Sequence, residues 1–496
     1  MSYQQLHQHF LKISHFKHLS AICDWDQAAM MPAGGNDARS AAMAELSVLI
    51  HQQTTAPQLA DWIAAAEKET LTEEEKVSLA ALKRRWRQAN LLPEELVLAQ
   101  SLANSTCEHA WREQRKNNDW VAFKPNLAKV VELAREEARV RAADSGLSRY
   151  DAMLELYEPD MNCAKLDALF GEVKTWLPEF IQRADANQAH KNLLTPTGPF
   201  PVAQQKELGL AAMGLLGFDF EHGRLDVSSH PFCGGVPSDV RITTRYDESD
   251  FMKALLGVIH ETGHARYEQN LPRAWAGLPV GEARSTGIHE SQSLFFEMQL
   301  ARSPEFTQLL APLAQKILNR AQDPAFTVAN LSAFNTRIKR GFIRVDADEL
   351  TYPAHVILRY EIERALIEGE IEVDDIPALW NEKMQAYLGL STEGNYRDGC
   401  MQDIHWALGL FGYFPSYTLG AIYAAQEFAA ATRAIDQLQS KIAAGELGDL
   451  FQWLNDNIWS KGSLLSTDEL MIAATGEPLN AGYFKAHLER RYFSVK

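Results

Sequence analysis

The stretch FMKALLGVIHETGHARYEQN, residues 251 to 270, carries the strongest structural and chemical signal in the chain. It contains the pattern HExxH at His260, Glu261 and His264. On an α-helix, residues four positions apart lie on one face, so two imidazoles at this spacing can bind one metal ion. Glu261, one position on, can then reach a water molecule on that metal. The apolar run before His260 indicates a buried helix, and the whole stretch predicts a helical metal site.

A catalytic zinc site needs a third protein ligand and one open position for water. The metzincin continuation HExxHxxGxxH would require glycine at 267 and histidine at 270, where this chain has Tyr267 and Asn270, so that class is excluded. A carboxylate from a following helix is the remaining common solution. The downstream candidates for the third ligand are Glu268, Glu282, His289 and Glu290.

The positions of these candidates along the chain rank them. Glu268 lies one turn beyond His264, which suits a residue that fixes an imidazole tautomer better than a third ligand. Glu282 follows a proline and a glycine at a helix start, where the geometry is loose. Glu290 lies in GEARSTGIHESQSLFFEMQL, whose apolar residues mark a buried helical face. Spacing alone therefore favours Glu290 and leaves Glu282 as the alternative.

Most of the remaining sequence predicts α-helices. The first 190 residues have the apolar spacing of long amphipathic helices, and Thr72 with Glu75 forms a capping-box signature. Helical periodicity returns after the metal motif and continues toward the C terminus. The segment DVRITTRY, residues 239–246, alternates apolar and polar side chains and predicts one strand.

A Pro- and Gly-rich segment, TPTGPFP at 195–201, marks a candidate internal boundary. It would separate an N-terminal helical part, 1–195, from a part at 202–496 that holds the metal site and the substrate groove. We expect one domain, 1–496, with two helical lobes, a deep groove and a small antiparallel β-sheet. The expected fold class is mainly α.

Composition excludes several classes of function. The 496 residues include 48 Lys and Arg against 65 Asp and Glu, a net charge of −17 that repels nucleic acid and anionic membranes. Residues 406–426 carry no charge and could span a bilayer, but Gly, Pro and Ser interrupt them, so we predict a buried functional segment. The odd set of five well-separated cysteines is typical of reduced thiols in a cytoplasmic protein.

Seven blocks of the sequence resemble, in order, those of the carboxypeptidase Taq family of metallocarboxypeptidases, and the resemblance extends nearly from end to end. The blocks are WDQAAMMPAGG (25–35), HPF (230–232), DVRITTRY (239–246), HETGH (260–264), HESQS (289–293), IRVDADELTYPAHVILRYEIE (343–363) and GCMQDIHW (399–406). The resemblance implies that Glu290 is the third metal ligand. It also implies a homodimer and C-terminal trimming of peptides, with one Zn²⁺ per chain that Co²⁺ or another divalent metal can replace.

The catalytic groups follow from this type of site. Glu261 would take a proton from the metal-activated water and later pass it to the leaving amine. A donor to the oxyanion is expected on an uncharged, glycine-flexed loop that bears tyrosines, and Tyr417 in GYFPSYTLG is the first choice. This block resembles a tyrosine-rich block of related helical zinc peptidases. Tyr413 is the second choice. The alternative for both tyrosines is packing as core aromatics.

Release of a C-terminal residue also requires a cation that binds the substrate carboxylate. We expect Arg344 to bind it, and a structural ion pair of Arg344 with Asp346 or Asp348 is the alternative. His230 and His405 are predicted to hydrogen-bond substrate. The remaining candidate arginines are Arg241, Arg245 and Arg359.

The sequence therefore predicts a cytoplasmic metallocarboxypeptidase that releases single amino acids from peptides with a free C terminus. A metallo-oligoendopeptidase or a dipeptidyl carboxypeptidase with the same metal site is the nearest alternative. A non-catalytic helical scaffold is the alternative from a different class, and the intact HETGH motif together with Glu290 argues against it.

Overall fold

The computed structural model describes residues 2–189 and 192–493. Helices account for most of these residues, and the strands are short. The prediction of a mainly α-helical protein is confirmed. All five cysteines lie in the described part of the chain and carry free thiols.

The first four helices surround a small hydrophobic cluster of their own. Their bounds are α1 (Ser2–Ala29), α2 (Asn36–Thr54), α3 (Gln58–Ala66) and α4 (Glu73–Leu91). Leu6, Leu59 and Leu82 meet in this cluster from α1, α3 and α4, each with no exposed surface. Thr72 and Glu75 form the predicted capping box at the start of α4.

The next helices lead up to the sheet. Their bounds are α5 (Glu94–Lys116), α6 (Trp120–Ser145), α7 (Arg149–Leu154), α8 (Cys163–Gln188) and α9 (Val202–Leu215). The predicted break at 195–201 lies between α8 and α9. Both of these helices contribute side chains to the same hydrophobic core, among them Phe170 and Leu208. The division of the chain at this break stays a prediction.

A three-stranded sheet follows α9 in the described part of the chain, with β1 (Gly223–Val227), β2 (Phe232–Val236) and β3 (Asp239–Thr244) in the order β1-β3-β2. β3 pairs with β2 antiparallel and with β1 parallel. The predicted antiparallel sheet is therefore wrong, and the sheet is mixed. β3 inserts between two strands that run in opposite directions, so it must be parallel to one of them.

The metal motif lies on the first helix after the sheet. The helices that follow the sheet are α10 (Phe251–Asn270), α11 (Thr286–Leu294), α12 (Pro304–Ile317), α13 (Val328–Asn335), α14 (Tyr352–Glu368), α15 (Ile376–Leu388), α16 (Pro415–Ala434), α17 (Leu438–Ala444), α18 (Gly448–Asn457), α19 (Thr467–Thr475) and α20 (Ala481–Phe493). A π-helical segment, Phe295–Ala301, continues α11. Val240 and Ile242 of β3 pack with Val258 of α10, which fixes the sheet against the motif helix.

The main hydrophobic core extends from α5 to α20 and surrounds α14 and α16. The first half of α16 is almost entirely buried, as predicted for the uncharged stretch at 406–426. Among the residues that the structure describes, no helix is both long enough and apolar enough to cross a bilayer.

Candidate metal centre

Helix α10 places the two motif histidines side by side. Its first turn is capped by Asp250, whose carboxylate accepts hydrogen bonds from the backbone N–H groups of Met252 and Lys253. The rings of His260 and His264, one turn apart, have centroids 5.1 Å from each other. Both imidazoles therefore lie on one face of the helix, as the HExxH spacing predicts.

Two glycines bring α11 into close contact with its neighbours. A Cβ atom on Gly263 of α10 would lie 2.7 Å from the Cα atom of Ser293. A Cβ atom on Gly420 of α16 would lie 2.7 Å from Cγ of Glu290. Only glycine permits such approaches, so α11 is held between α10 and α16 with Glu290 turned toward the histidines.

His260, His264 and Glu290 form a cluster that fits one metal ion. One ligand atom from each residue lies within 4.8 Å of the other two. His264 Nε2 is 3.4 Å from Glu290 Oε2, and His260 Nε2 is 4.0 Å from Glu290 Oε1. Two imidazole nitrogens and one carboxylate are the donor set of many catalytic zinc sites, and they leave a position open for water.

The second nitrogen of each imidazole has a partner that fixes the ring. His260 Nδ1 lies 3.0 Å from Glu297 Oε2, and His264 Nδ1 lies 3.0 Å from the backbone carbonyl of His289. Both partners accept a hydrogen bond, so each Nδ1 carries a proton, and each Nε2 can bind a metal once it carries no proton of its own. The partners therefore fix both rings with Nε2 directed toward Glu290.

Glu297 is a functional residue that the sequence reasoning missed. It lies on the π-helical segment and binds Arg302 through Oε1 at 2.7 Å and His260 through Oε2. Burial raises the pKa of Glu297, but the charges of Arg302 and His260 outweigh burial and bring it to about 2. The sequence feature that could have identified Glu297 is its spacing of seven residues from Glu290, because this spacing corresponds to two turns along one face of a helix.

Glu261 has the burial and the pKa of a general base. Its side chain is 8% exposed. Burial raises the pKa of Glu261 to about 7, while the His260 charge opposes this rise and the Glu290 carboxylate adds to it. A carboxyl with a pKa near neutrality can both accept and return a proton at physiological pH.

The other candidates for the third ligand have different partners. Glu282 is half-exposed and binds the Arg85 side chain of α4, with Oε1 2.8 Å from Nη1. Glu268 lies 2.8 Å from His289 Nε2 and holds that ring, which stacks on His264 with centroids 4.5 Å apart. Glu290 is therefore the carboxylate that the fold brings between the two metal-motif histidines.

Tyr417 lies in the first turn of α16 and not in a loop, which corrects the expectation of a flexible tyrosine-bearing loop. It precedes Gly420 by three residues and so shares the face of α16 that contacts Glu290. His405 Nε2 is 3.2 Å from the Tyr417 hydroxyl, and the Tyr413 ring lies 5.4 Å from the Tyr417 ring. Burial raises the pKa of Tyr417 well above its usual range, so the phenol keeps its proton.

Arg344 packs against the same tyrosine. Its guanidinium lies 4.8 Å from the Tyr417 ring centre, and Nη1 donates to the Tyr352 hydroxyl at 2.6 Å. Its ion pair is with Asp403, through Nε at 3.0 Å and Nη2 at 2.9 Å. The alternative partners Asp346 and Asp348 are therefore wrong.

Asp403 is shared by two buried arginines. Arg359 Nε donates to Asp403 Oδ2 at 2.6 Å, while Arg344 uses Oδ1. Burial raises the pKa of Asp403, but the two guanidinium charges outweigh it and hold the pKa far below the usual range. Burial and the Arg344 charge lower the pKa of the neighbouring His405 to about 4. Asp403 carries one negative charge and each of the two arginines carries one positive charge, while the His405 imidazole is neutral. These four residues together therefore keep a net positive charge.

The candidate residues near the sheet have local partners. Arg241 binds Asp239 at 2.5 Å and lies 4.4 Å above the ring of Trp25 from α1. Arg245 is exposed and donates to the Ser229 carbonyl at 3.4 Å. His230 is also exposed, and its backbone carbonyl accepts a hydrogen bond from a serine hydroxyl. These contacts secure the sheet and the α1 helix, so a substrate role for Arg241 and His230 stays a prediction.

Removal of Glu290 tests the metal cluster. Glu290→Ala deletes the only carboxylate of the three-residue cluster found in the described part of the chain. We expect its zinc affinity to fall by more than the roughly 10- to 100-fold loss that follows removal of an outer partner. Metal content per chain after dialysis is the measurement. The matched control is Glu282→Ala, and a loss of metal from that variant instead would assign the ligand to Glu282.

Close packing at Gly420 gives a second prediction. Gly420→Ala pushes a methyl group against Glu290, so we expect about 1–3 kcal/mol of destabilisation and weaker zinc binding. Gly214→Ala in α9 has open space around its new methyl group and should be neutral or slightly stabilising. Thermal unfolding and chelator competition measure both effects. Equal zinc affinity in the two variants would show that Gly420 does not hold Glu290 in place.

Comparisons with known proteins give a consistent result. A family model described as carboxypeptidase Taq (M32) metallopeptidase matches residues 5–492. The chain is 37% identical to thermostable carboxypeptidase 1 of Thermus thermophilus, over 100% of this chain and 99% of the relative. It is 36% identical to carboxypeptidase 1 of Bacillus subtilis, over 98% and 96%. The solved structure of metallocarboxypeptidase 1 of Trypanosoma cruzi has 46% identity, covers 99% of both chains and superposes with a TM-score of 0.97.

Proposed function

The chain belongs to the carboxypeptidase Taq (M32) family of metallopeptidases, and we propose that it releases single amino acids from the C terminus of peptides. The observation that supports this proposal most strongly is the buried group of Arg344, Asp403 and Arg359, because Arg344 lies against Tyr417 on the face of α16 that contacts Glu290. A bound divalent metal, which we propose to be Zn²⁺ with Co²⁺ as a possible substitute, supplies a Lewis acid for the scissile carbonyl and for water.

Glu261 acts as the base in this proposal. It is buried one residue from the metal ligand His260, and its pKa near 7 allows it to take a proton from water at neutral pH. The same carboxyl then gives this proton to the amine of the departing residue. Its burial excludes competing solvent from the proton transfer.

Tyr417 is the proposed donor to the oxyanion of the tetrahedral intermediate. Its phenol keeps its proton, and α16 packs against Glu290 one turn further on at Gly420. In this proposal His405 Nε2, 3.2 Å from the Tyr417 hydroxyl, donates its N–H to the phenol oxygen, which leaves the phenol proton for the oxyanion. Tyr413, with its ring beside that of Tyr417, is the second candidate.

The proposed anchor for the substrate carboxylate is Arg344. Among the described residues, its contacts with Asp403 and Tyr352 use three N–H groups, so two of the five in a guanidinium are left for substrate. Asp403, which also accepts a hydrogen bond from Arg359, holds the guanidinium of Arg344 in place. A buried carboxylate of the substrate would complete the charge balance of this cluster.

We propose in addition that the enzyme works as a cytoplasmic homodimer. The family resemblance supports the dimer, and the free cysteines support a reducing compartment. Light scattering of the purified protein measures the oligomeric state, and a monomer at physiological concentration would contradict this part of the proposal.

Paired peptides test the carboxypeptidase activity. One peptide carries a free C terminus and its twin a C-terminal amide, each with and without a chelator, and mass spectrometry follows the products. We expect the free peptide alone to lose one residue at a time, with no loss once the metal is removed. Cleavage of both peptides at an internal bond would indicate an oligoendopeptidase, and loss of residue pairs a dipeptidyl carboxypeptidase.

The base gives a sharper mutational prediction. Glu261→Gln keeps the shape of the side chain and removes its ability to accept a proton. We expect full metal content and a kcat lower by about 10²- to 10⁴-fold. Metal analysis and steady-state kinetics are measured on one preparation. Wild-type kcat in the metal-loaded variant would exclude Glu261 as the base.

The anchor gives a prediction about substrate affinity. Arg344→Ala removes a charged hydrogen-bond donor worth about 1.5–3 kcal/mol, so kcat/KM for free-carboxylate peptides should fall by about 10- to 150-fold. Zinc content should not change. Arg241→Ala is the control, because Arg241 is held by Asp239 and Trp25. If Arg241→Ala raised KM and Arg344→Ala did not, Arg241 in the sheet would be the residue that binds the substrate carboxylate.

A further inference from the structure

The turn after α7 contacts the N-terminal ends of two separate helices. The Tyr157 carbonyl accepts a hydrogen bond from Thr286 N–H at 3.1 Å. The Glu158 carboxylate accepts one from Gly287 N–H, at the start of α11. The same Oε1 atom also accepts from the Ser416 hydroxyl, in the first turn of α16, at 2.7 Å. One carboxylate oxygen thus bridges α11 and α16.

Glu158 is buried in a way that requires an explanation. Its side chain is 1% exposed. Burial raises the pKa of Glu158 to about 7, and the hydrogen bonds from Ser416, Ser285 and Gly287 only partly oppose that rise. Burial of a carboxyl group costs free energy that its hydrogen bonds offset only in part, so a role beyond stability would account for a glutamate at this position.

The site around Glu158 is shaped to receive its carboxylate. The first N–H groups of a helix have no partner within the helix, and Glu158 with the Tyr157 carbonyl supplies partners at α11. A Cβ atom on Gly287 would lie 2.9 Å from Glu158 Oε1, so a glycine is needed for the carboxylate to reach the backbone. The carboxylate and the helix end therefore fit each other.

The two bridged helix ends carry the reactive side chains. Gly287 precedes the proposed ligand Glu290 by three residues, less than one turn of α11. Ser416 directly precedes Tyr417 on α16. Because each bonded group is within one turn of the side chain in question, a shift of either helix end would move that side chain.

The turn after α7 also packs against Tyr413, the second candidate for the oxyanion donor. The Tyr157 ring meets the Tyr413 ring edge to face with centroids 5.1 Å apart. A Cβ atom on Gly412 would lie 2.9 Å from the backbone nitrogen of Leu154, so this part of the chain is packed directly on the end of α7. The segment that leads into α16 is therefore supported at Gly412, Tyr413 and Ser416 by α7 and the turn after it.

We propose that Glu158 is a positioning residue that ties α11 to α16 and so sets the distance between Glu290 and Tyr417. This inference rests on the proposed roles of Glu290 and Tyr417 in the active site. Glu158 does not touch substrate or metal in this account and acts only through the two helices.

Four variants separate this role from a general loss of stability. Glu158→Ala removes the bonds to both helices, whereas Glu158→Gln keeps an amide oxygen that can accept from Gly287 N–H and the Ser416 hydroxyl. Ser416→Ala removes only the bond to α16. Gln426→Ala is the matched control, because Gln426 is equally buried on α16 but binds Thr475 on α19, away from α11.

The readouts are zinc affinity by chelator competition, kcat at saturating zinc, Tm, and hydrogen exchange of the peptide that contains Gly287. We expect Glu158→Ala to weaken zinc binding by about 10- to 100-fold, to lower kcat at least tenfold and to speed exchange at the start of α11. Ser416→Ala should lower kcat and leave zinc affinity unchanged. Glu158→Gln should restore zinc affinity and kcat to within a few-fold of wild type.

The control decides between positioning and stability. If Glu158→Ala and Gln426→Ala lower Tm similarly and leave zinc affinity and kcat equally unchanged, Glu158 is a structural residue and the inference is overturned. Zinc affinity and hydrogen exchange do not depend on peptide cleavage. A wild-type protein without carboxypeptidase activity would therefore contradict the proposed function and still leave the tie between α11 and α16 testable.

Discussion

The close approach of α10, α11 and α16 is the constraint on which the site depends. Two glycines allow it, since Gly263 meets the backbone of α11 and Gly420 meets the side chain of Glu290. With bulkier residues at these positions the helices would separate, and Glu290 would leave the histidines. The three ligand groups come from two helices, so their geometry is a product of helix packing and not of local sequence alone.

Buried charge organises the second half of the site. Glu297 and Arg302 neutralise each other beside His260, whereas Arg344 and Arg359 share the single carboxylate of Asp403. In the first group, the charges of Glu297 and Arg302 balance each other, and Glu297 fixes the ring of His260. The second retains positive charge next to Tyr417, which is the property that a site for a free carboxylate requires. The contrast supports the proposal that a metal and the negatively charged end of a peptide bind close together.

The sequence predicts the structure best where the signal is local. The HETGH spacing predicts two histidines on one helix face, and His260 and His264 lie on one face of α10. The role of Glu290 as third ligand stays a prediction from the HES block. Sequence patterns fail where distant segments meet. Asp403 lies 59 residues from Arg344 along the chain, so the sequence around Arg344 points only to the nearby Asp346 and Asp348. A proline inside GYFPSYTLG favours a loop at Tyr417, but Pro415 lies in the first turn of α16, where proline is also favoured. The prediction of an antiparallel sheet was wrong because the sequence pattern identifies only one strand. The order and directions of the neighbouring strands cannot be read from that one strand.

We propose that packing of α10, α11 and α16 creates one metal site from His260, His264 and Glu290. Anomalous diffraction at the zinc edge, from crystals of the zinc-loaded protein, would locate the ion. We expect one strong peak per chain, about 2.0–2.2 Å from both Nε2 atoms and from the Glu290 carboxylate. A peak bound to other residues, or a zinc ion bound to the histidines with Glu290 turned away, would contradict it.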